Sequence, residues 1–184
     1  MRNIRAARRY AVALMAVAEE QKAIDRVAAD LELIGSVVQN SREMQLLVAS
    51  PVIAVGKKKA VFRELFAARV AKETVTFLEL LLKNRREMLI PEIAVQFAAL
   101  KDEKYGVVNV EVLSAVDLAP SQEQALREQL ERYTRKIVRI RFSRDLSIKG
   151  GLLVRIGDTV LDISVKHQLE QLRQRFLGGG PELN

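Results

Sequence analysis

The chain contains no cysteine, no tryptophan and a single histidine, His167. Without cysteine there is no disulfide, no thiolate metal site and no thiol nucleophile. One histidine leaves no partner for a His-rich metal centre and little scope for imidazole relay chemistry. Placed in the first turn of the last expected helix, it reads as a surface or partly packed side chain. Aromatic residues make up 5% of the 184 positions, so the core must be built from aliphatic side chains and alanine. No apolar run approaches the roughly 20 residues that a membrane-spanning helix needs.

Acidic residues are also too few to balance the basic ones: 30 Lys and Arg stand against 23 Asp and Glu, a net charge of +7. Such an excess suits nucleic acid, an anionic membrane surface or an acidic protein partner. It is diffuse, +5 over residues 1–105 (18 basic, 13 acidic) and +2 over 106–184 (12 basic, 10 acidic). It concentrates at Arg2, Arg5, Arg8 and Arg9, and again between Arg127 and Arg144, where seven basic residues accompany two acids. The first cluster has the Arg-rich, acid-poor character of an organelle transit segment. It lacks the serine enrichment and runs straight into a helical repeat, so it reads as a first helix of the mature protein.

Residues 1–105 carry helical periodicity throughout. Tyr10, Leu14 and Val17 recur on one side of the first helix among small alanines. Ile24, Val27, Leu31, Ile34 and Val38 repeat the pattern in the second. Ser41 is placed to cap a short third helix, which Ser50-Pro51 ends because a residue before proline avoids the helical region. A fourth helix follows Gly56, opening on Lys57-Lys58-Lys59. These lysines read as a solvated helix start that mildly opposes the helix dipole and hints at an acidic partner. The fifth, Lys72 to Arg85, is apolar over more than one face, so it either lies at the centre of the bundle or offers a face to a partner. Pro91 sits in the first turn of a sixth helix containing Ile93, Phe97 and Leu100.

The texture changes after Tyr105-Gly106. "VVNVEVLSAV" alternates and is β-branched, as a strand is. "APSQEQALREQLERYTRK" is helical. "IVRIRF" alternates again, with Val138, Ile140 and Phe142 on one face and Ile137, Arg139 and Arg141 on the other. Gly157-Asp158 separates two further alternating runs, and glycine there suits a type II′ hairpin turn. That turn pairs Ile156 with Thr159, Val154 with Leu161 and Leu152 with Ile163. Ser164 is placed to cap a last helix with Leu169, Leu172 and Phe176 on one stripe, and the closing residues 178–184 read as a flexible tail. The fold class is therefore α+β: a bundle of about six helices, 1–105, then a small β-α-β-β-β-α domain, 106–177. The β-α-β step should be a right-handed parallel crossover.

None of the candidate chemical sites closes. Gly150-Gly151 and Gly157 precede strands, not the helix N-terminus that a phosphate-cradling loop requires; they read as a turn and a hairpin. Asp158, in a turn, and Asp162, inside a strand, share no cleft of the kind that tunes two carboxylates to opposite roles. Asp162 reads instead as an acceptor for nearby backbone or a basic side chain. No catalytic, cofactor or metal residue is assigned. Arg139 and Arg141 could contact RNA, but sheet-based single-strand readers need stacking aromatics, and Phe142 faces the other way. A protein or membrane-proximal contact fits better, with a basic RNA-binding or ribosome-associated protein as the alternative.

Several segments together resemble one family. The tail "GGLLVRIGDTVLDISVKHQLEQLRQRF" is the most specific. "ARRYAVAL", "ASPVI", "FLELLLKNRR", "LIPEIAVQFAAL" and "VEVLSAVDL" support it over nearly the whole length. The pattern resembles the delta subunit of bacterial F-type ATP synthases, the family of the mitochondrial oligomycin-sensitivity-conferral protein. There are departures: "SRDLSIKGG" lacks the family's proline before the double glycine, Ile163 replaces a usual glycine, and Arg85 stands where glycine is common.

The resemblance implies a non-catalytic peripheral-stalk connector on the cytoplasmic face of the bacterial membrane, touching the membrane only through its complex and binding no nucleic acid. It implies that the helical bundle takes an alpha-subunit N-terminal helix in a groove between helices one and five. Tyr10, Ala13 and Leu80 match family positions there. Leu14, Val17, Phe77 and Leu81 are expected as neighbours from their periodicity, which does not separate groove from core. The C-terminal domain is implied to bind the C-terminal helices of the b-subunit stalk.

Overall fold

The computed structural model describes residues 2–157 and 159–178. Two compact units divide at Lys104 and Tyr105. The first contains six helices: α1 (Arg2–Glu20), α2 (Ile24–Asn40), α3 (Arg42–Ala49), α4 (Val55–Phe66), α5 (Lys72–Lys83) and α6 (Ile90–Lys104), the last entered through a 3-10 turn at Glu87–Leu89. The local signals act as read. The Ser41 hydroxyl accepts the Met44 N–H at 3.2 Å and starts α3, and Ser50 is extended at ψ 119° before Pro51 and stops it.

Helix α6, rather than α5, runs through the middle, packed along both α1 and α2. Ile93 and Phe97 are fully buried. Gly35 of α2 lies against Ala94 of α6, where an added Cβ would make an ordinary van der Waals contact at 3.5 Å. The core is aliphatic as the composition requires: Leu14, Val27, Leu31, Ile34, Leu81, Leu82 and Ile90, with Ala7, Ala11 and Ala18 beneath α1.

The second unit is a four-stranded mixed sheet with two helices: β1 (Val107–Ser114), α7 (Pro120–Thr134), β2 (Ile137–Arg144), β3 (Leu152–Ile156), β4 (Thr159–Asp162) and α8 (Val165–Gly178). Strand order is β2-β1-β3-β4. β1 and β2 are parallel and joined through α7, because adjacent parallel strands need a crossover; the other pairs are antiparallel. Pro120 opens α7, and the Gln122 side chain accepts the Ala119 N–H at 2.9 Å.

Val110, Val112, Leu130, Val138 and Val154 form a second, separate core under α7. The hairpin register pairs Ile156 with Thr159 and Val154 with Leu161, and the Ile163 N–H reaches the Leu152 carbonyl at 2.8 Å. Gly157 has φ +56°, as the turn requires. Its neighbour Asp158 and the tail beyond Gly178 lie outside the described residues.

Candidate partner-docking site

Helices α1 and α5 meet at one aromatic contact. Tyr10 approaches Phe77 edge to face, with centroids 6.3 Å apart and planes at 70°, the geometry favoured by ring quadrupoles. Tyr10 is half-buried and Phe77 is 7% exposed. Apolar side chains flank this contact on the surface. Leu80, one turn beyond Phe77, is 46% exposed, and Val17 is 44% exposed. Ala13, on the same stripe of α1 as Tyr10 and Val17, is exposed and small enough for a partner backbone to come close.

Three of the expected neighbours are buried rather than exposed along this seam. Leu14, Phe77 and Leu81 are core residues, Leu14 and Leu81 nearly or wholly without solvent contact. Periodicity left this division open for a simple reason. On helices apolar over more than half their circumference, the 3.6-residue period assigns inner and outer apolar positions to one broad stripe, and only packing divides them. Leu80 turns outward because Leu78, Leu81 and Leu82 already fill the inward side.

What holds α5 in place was missed by the motif reading. Asp30 of α2 is 3% exposed. Its Oδ2 accepts the Ala71 N–H at 2.7 Å and the Thr74 hydroxyl at 3.0 Å, and Arg26 contacts its other oxygen at 3.2 Å. A carboxylate on another helix thus accepts the N–H of the N-cap residue Ala71 itself, the bond an N3 side chain makes in a capping box, and puts negative charge at the positive end of α5. The available signal was an aspartate on the apolar stripe of α2, between Val27 and Ile34.

At the side of α5, Arg63 Nη2 lies 2.6 Å and Lys59 Nζ 3.7 Å from Glu79. The hydrogen bond from Arg63 is the main reason the Glu79 carboxyl titrates below its usual range. The lysine run is not a uniformly solvated helix start. Lys58 is 3% exposed and donates to Glu87 Oε1 at 2.5 Å and the Val48 carbonyl at 3.1 Å. It ties α4 to the end of α3 and the turn before α6.

In the second unit the glycines are architectural. Gly151 has φ +78°, and a Cβ there would stand 2.3 Å from the Ile163 carbonyl oxygen. Gly150 accepts the Val165 N–H at 2.9 Å. The Ser164 hydroxyl, on a 2% exposed residue, accepts the His167 N–H at 3.2 Å and starts α8. Asp162 Oδ1 accepts the Ser164 N–H at 2.9 Å. Hydrogen bonding by Ser164 holds the Asp162 carboxyl below its ordinary value. The expected apolar stripe of α8 faces solvent, with Leu169 57%, Leu172 47% and Phe176 83% exposed.

Neither a grouping of metal-ligating side chains nor a helix long and apolar enough to cross a membrane occurs among the described residues. A family model described as the ATP synthase delta (OSCP) subunit matches residues 6–176. The chain belongs to that family.

Curated relatives agree over almost full length. The chain is 41% identical over 172 residues to the ATP synthase subunit delta of Chloroherpeton thalassium, covering 94% of each chain. It is 44% identical over 168 residues to that of Chlorobium phaeobacteroides strain BS1, covering 91% of this chain and 93% of the relative. Among solved structures, a chain of the cryo-EM structure of the Toxoplasma gondii mitochondrial ATP synthase hexamer superposes with a TM-score of 0.69 at 25% identity. That match covers 95% of this chain and 98% of the other. The α+β architecture is thus that of the delta (OSCP) family, whose members are structural and not catalytic subunits.

Proposed function

We propose that this delta-family protein is a peripheral-stalk component of an F-type ATP synthase that ties the catalytic head to the b-subunit stalk at the cytoplasmic face of the membrane. The helical unit receives an alpha-subunit N-terminal helix along the α1–α5 seam, and the sheet unit receives the C-terminal helices of the b subunits. The work is mechanical. Rotation of the central shaft during proton-driven ATP synthesis exerts torque on the head, and the stalk keeps the head from turning with it.

The observation that carries the seam assignment is the exposure of Leu80, Val17 and Ala13 beside a half-buried Tyr10. An amphipathic helix laid there buries apolar side chains that are otherwise wet, at about 25 cal/mol per Å², and its exposed face stays polar. Tyr10 is already held by Phe77, so little ordering accompanies binding.

Calorimetric titration of the full chain with a synthetic peptide of the cognate alpha-subunit N-terminus tests this. Leu80→Asp is expected to weaken binding about 30-fold or more, the loss typical of a central apolar anchor, with an unchanged circular dichroism spectrum. Absence of heat and of amide shift changes at high micromolar peptide would remove the seam from the proposal.

A further inference from the structure

The two edges of the sheet are unequal. β4, at one edge, is four residues long, while β2, at the other, is eight. An open strand edge is a row of unpaired N–H and C=O groups that a second chain can bond, and a short edge offers few of them. Ile137 donates its N–H to the Gly106 carbonyl at 3.0 Å. In the parallel ladder, Ile137 and every second residue after it therefore bond to β1. The residues between them, Val138, Ile140 and Phe142, turn their N–H and C=O groups away from the sheet.

Helix α7 covers part of that edge. Arg127 Nη1 donates to the Val138 carbonyl and Glu131 Oε1 accepts the Val138 N–H, each at 3.4 Å. The two side chains stand one turn apart on α7 and so share a face. They present a donor and an acceptor to one strand residue, as a neighbouring strand would. α7 packs on the sheet through Leu126 and Leu130, and that packing requires neither bond. Arg127 is exposed and Glu131 half-buried, so both side chains reach the edge from outside the core.

We infer that Arg127 and Glu131 form an edge guard, which keeps β2 closed to strand-to-strand pairing with a second copy of this chain. A second copy brings the same edge, and two-fold antiparallel pairing makes two such edges complementary to each other. Pairing centred on Ile140 or on Arg141 places the Val138 of each copy at an end of the shared ladder. The guard therefore removes the bonds at both ends and leaves only the short middle, at Ile140 and Phe142. The same pairing sets Arg141 opposite an arginine of the other copy, and like charges directly opposite destabilise a strand pair. The helix side chains and the strand charge thus act in the same direction. The inference is independent of the proposed stalk contacts.

Sedimentation velocity of the full chain over a concentration series tests this, with amide hydrogen exchange to locate any contact. Alanine is the best helix former, so R127A/E131A is expected to keep the native circular dichroism spectrum. It should form dimers in which exchange at the Ile140 and Phe142 amides slows by about 10-fold or more. Wild type should stay monomeric. So should E128A/R132A, which alters side chains that bond within α7. Adding R141T removes the facing charge and should tighten the dimer several-fold, and added salt should tighten the R127A/E131A dimer by screening the arginines. Where R127A/E131A loses the native spectrum, R127M/E131M, which keeps the stems, is read in the same way. A monomeric, natively folded R127A/E131A/R141T would overturn the guard. So would association that leaves Ile140 and Phe142 exchanging freely, or a wild type that dimerises through the same amides. R141T alone dimerising as tightly as R127A/E131A/R141T would show that Arg127 and Glu131 guard nothing.

Discussion

Gly151 shows how little room some positions leave. Its φ of +78° and a Cβ position 2.3 Å from the Ile163 carbonyl oxygen mean that Gly151→Ala must displace backbone. The expected loss is about 2 kcal/mol or more, read as a lower urea midpoint for the sheet unit. Arg85 is the opposite case. It sits at φ +54° where α5 ends, with the Arg86 N–H bonded to the Leu81 carbonyl at 2.9 Å. Glycine takes that left-handed position without a Cβ penalty, so Arg85→Gly should stabilise the helical unit by roughly 0.5–1 kcal/mol, measured by denaturant titration. Asp162 gives a pH signature. Its folded carboxyl is depressed by Ser164, so the stabilisation it brings is present above the unfolded value near 4 and is lost as pH falls through the folded value. Between pH 7 and pH 3, Asp162→Asn should lose less of its urea midpoint than wild type does.

At the scale of an element, the position of α5 depends on a residue from a different helix. Asp30→Ala leaves the Ala71 N–H and the Thr74 hydroxyl without their acceptor. The expected cost is about 1–3 kcal/mol, with faster hydrogen exchange at Ala71 and weaker binding of the alpha-subunit peptide although Asp30 is buried and cannot touch it. Unchanged affinity would mean that the seam does not depend on the start of α5. The helices and strands themselves were legible in advance, since their caps and breakers (Ser41, Ser50-Pro51, Pro120, Gly157, Ser164) act within a few residues. The cap of α5 was not, because the carboxylate and the N–H it accepts lie 41 positions apart in sequence.

On the scale of the whole molecule, two hydrophobic cores share no member. Phe97 is fully buried in the first. Phe97→Ala is expected to cost about 3–5 kcal/mol and to unfold the helical unit at lower denaturant. The methyl signals of Val112 and Val154, in the second core, should keep their native dispersion. Collapse of both sets at one midpoint would show that the units unfold together. The proposed division of labour between a helix-binding bundle and a stalk-binding sheet unit needs each surface to persist on its own, and separate cores provide for that.

Composition and periodicity determined the aliphatic core, the change from helix to strand near Tyr105 and the hairpin register. These follow from local spacing, backbone sterics and residue type. Tertiary packing alone decided which leucine faces out. Leu80, Leu81 and Leu82 are chemically identical neighbours; Leu81 and Leu82 are buried and Leu80 is nearly half exposed. Packing also turned Lys58 from a presumed surface charge into a buried tie to Glu87. It set Arg141 and Arg155 on either side of Glu111, 30 and 44 positions along the chain. A side chain's period places it on a face, but only the neighbours brought in from distant sequence determine whether that face meets core, solvent or a partner.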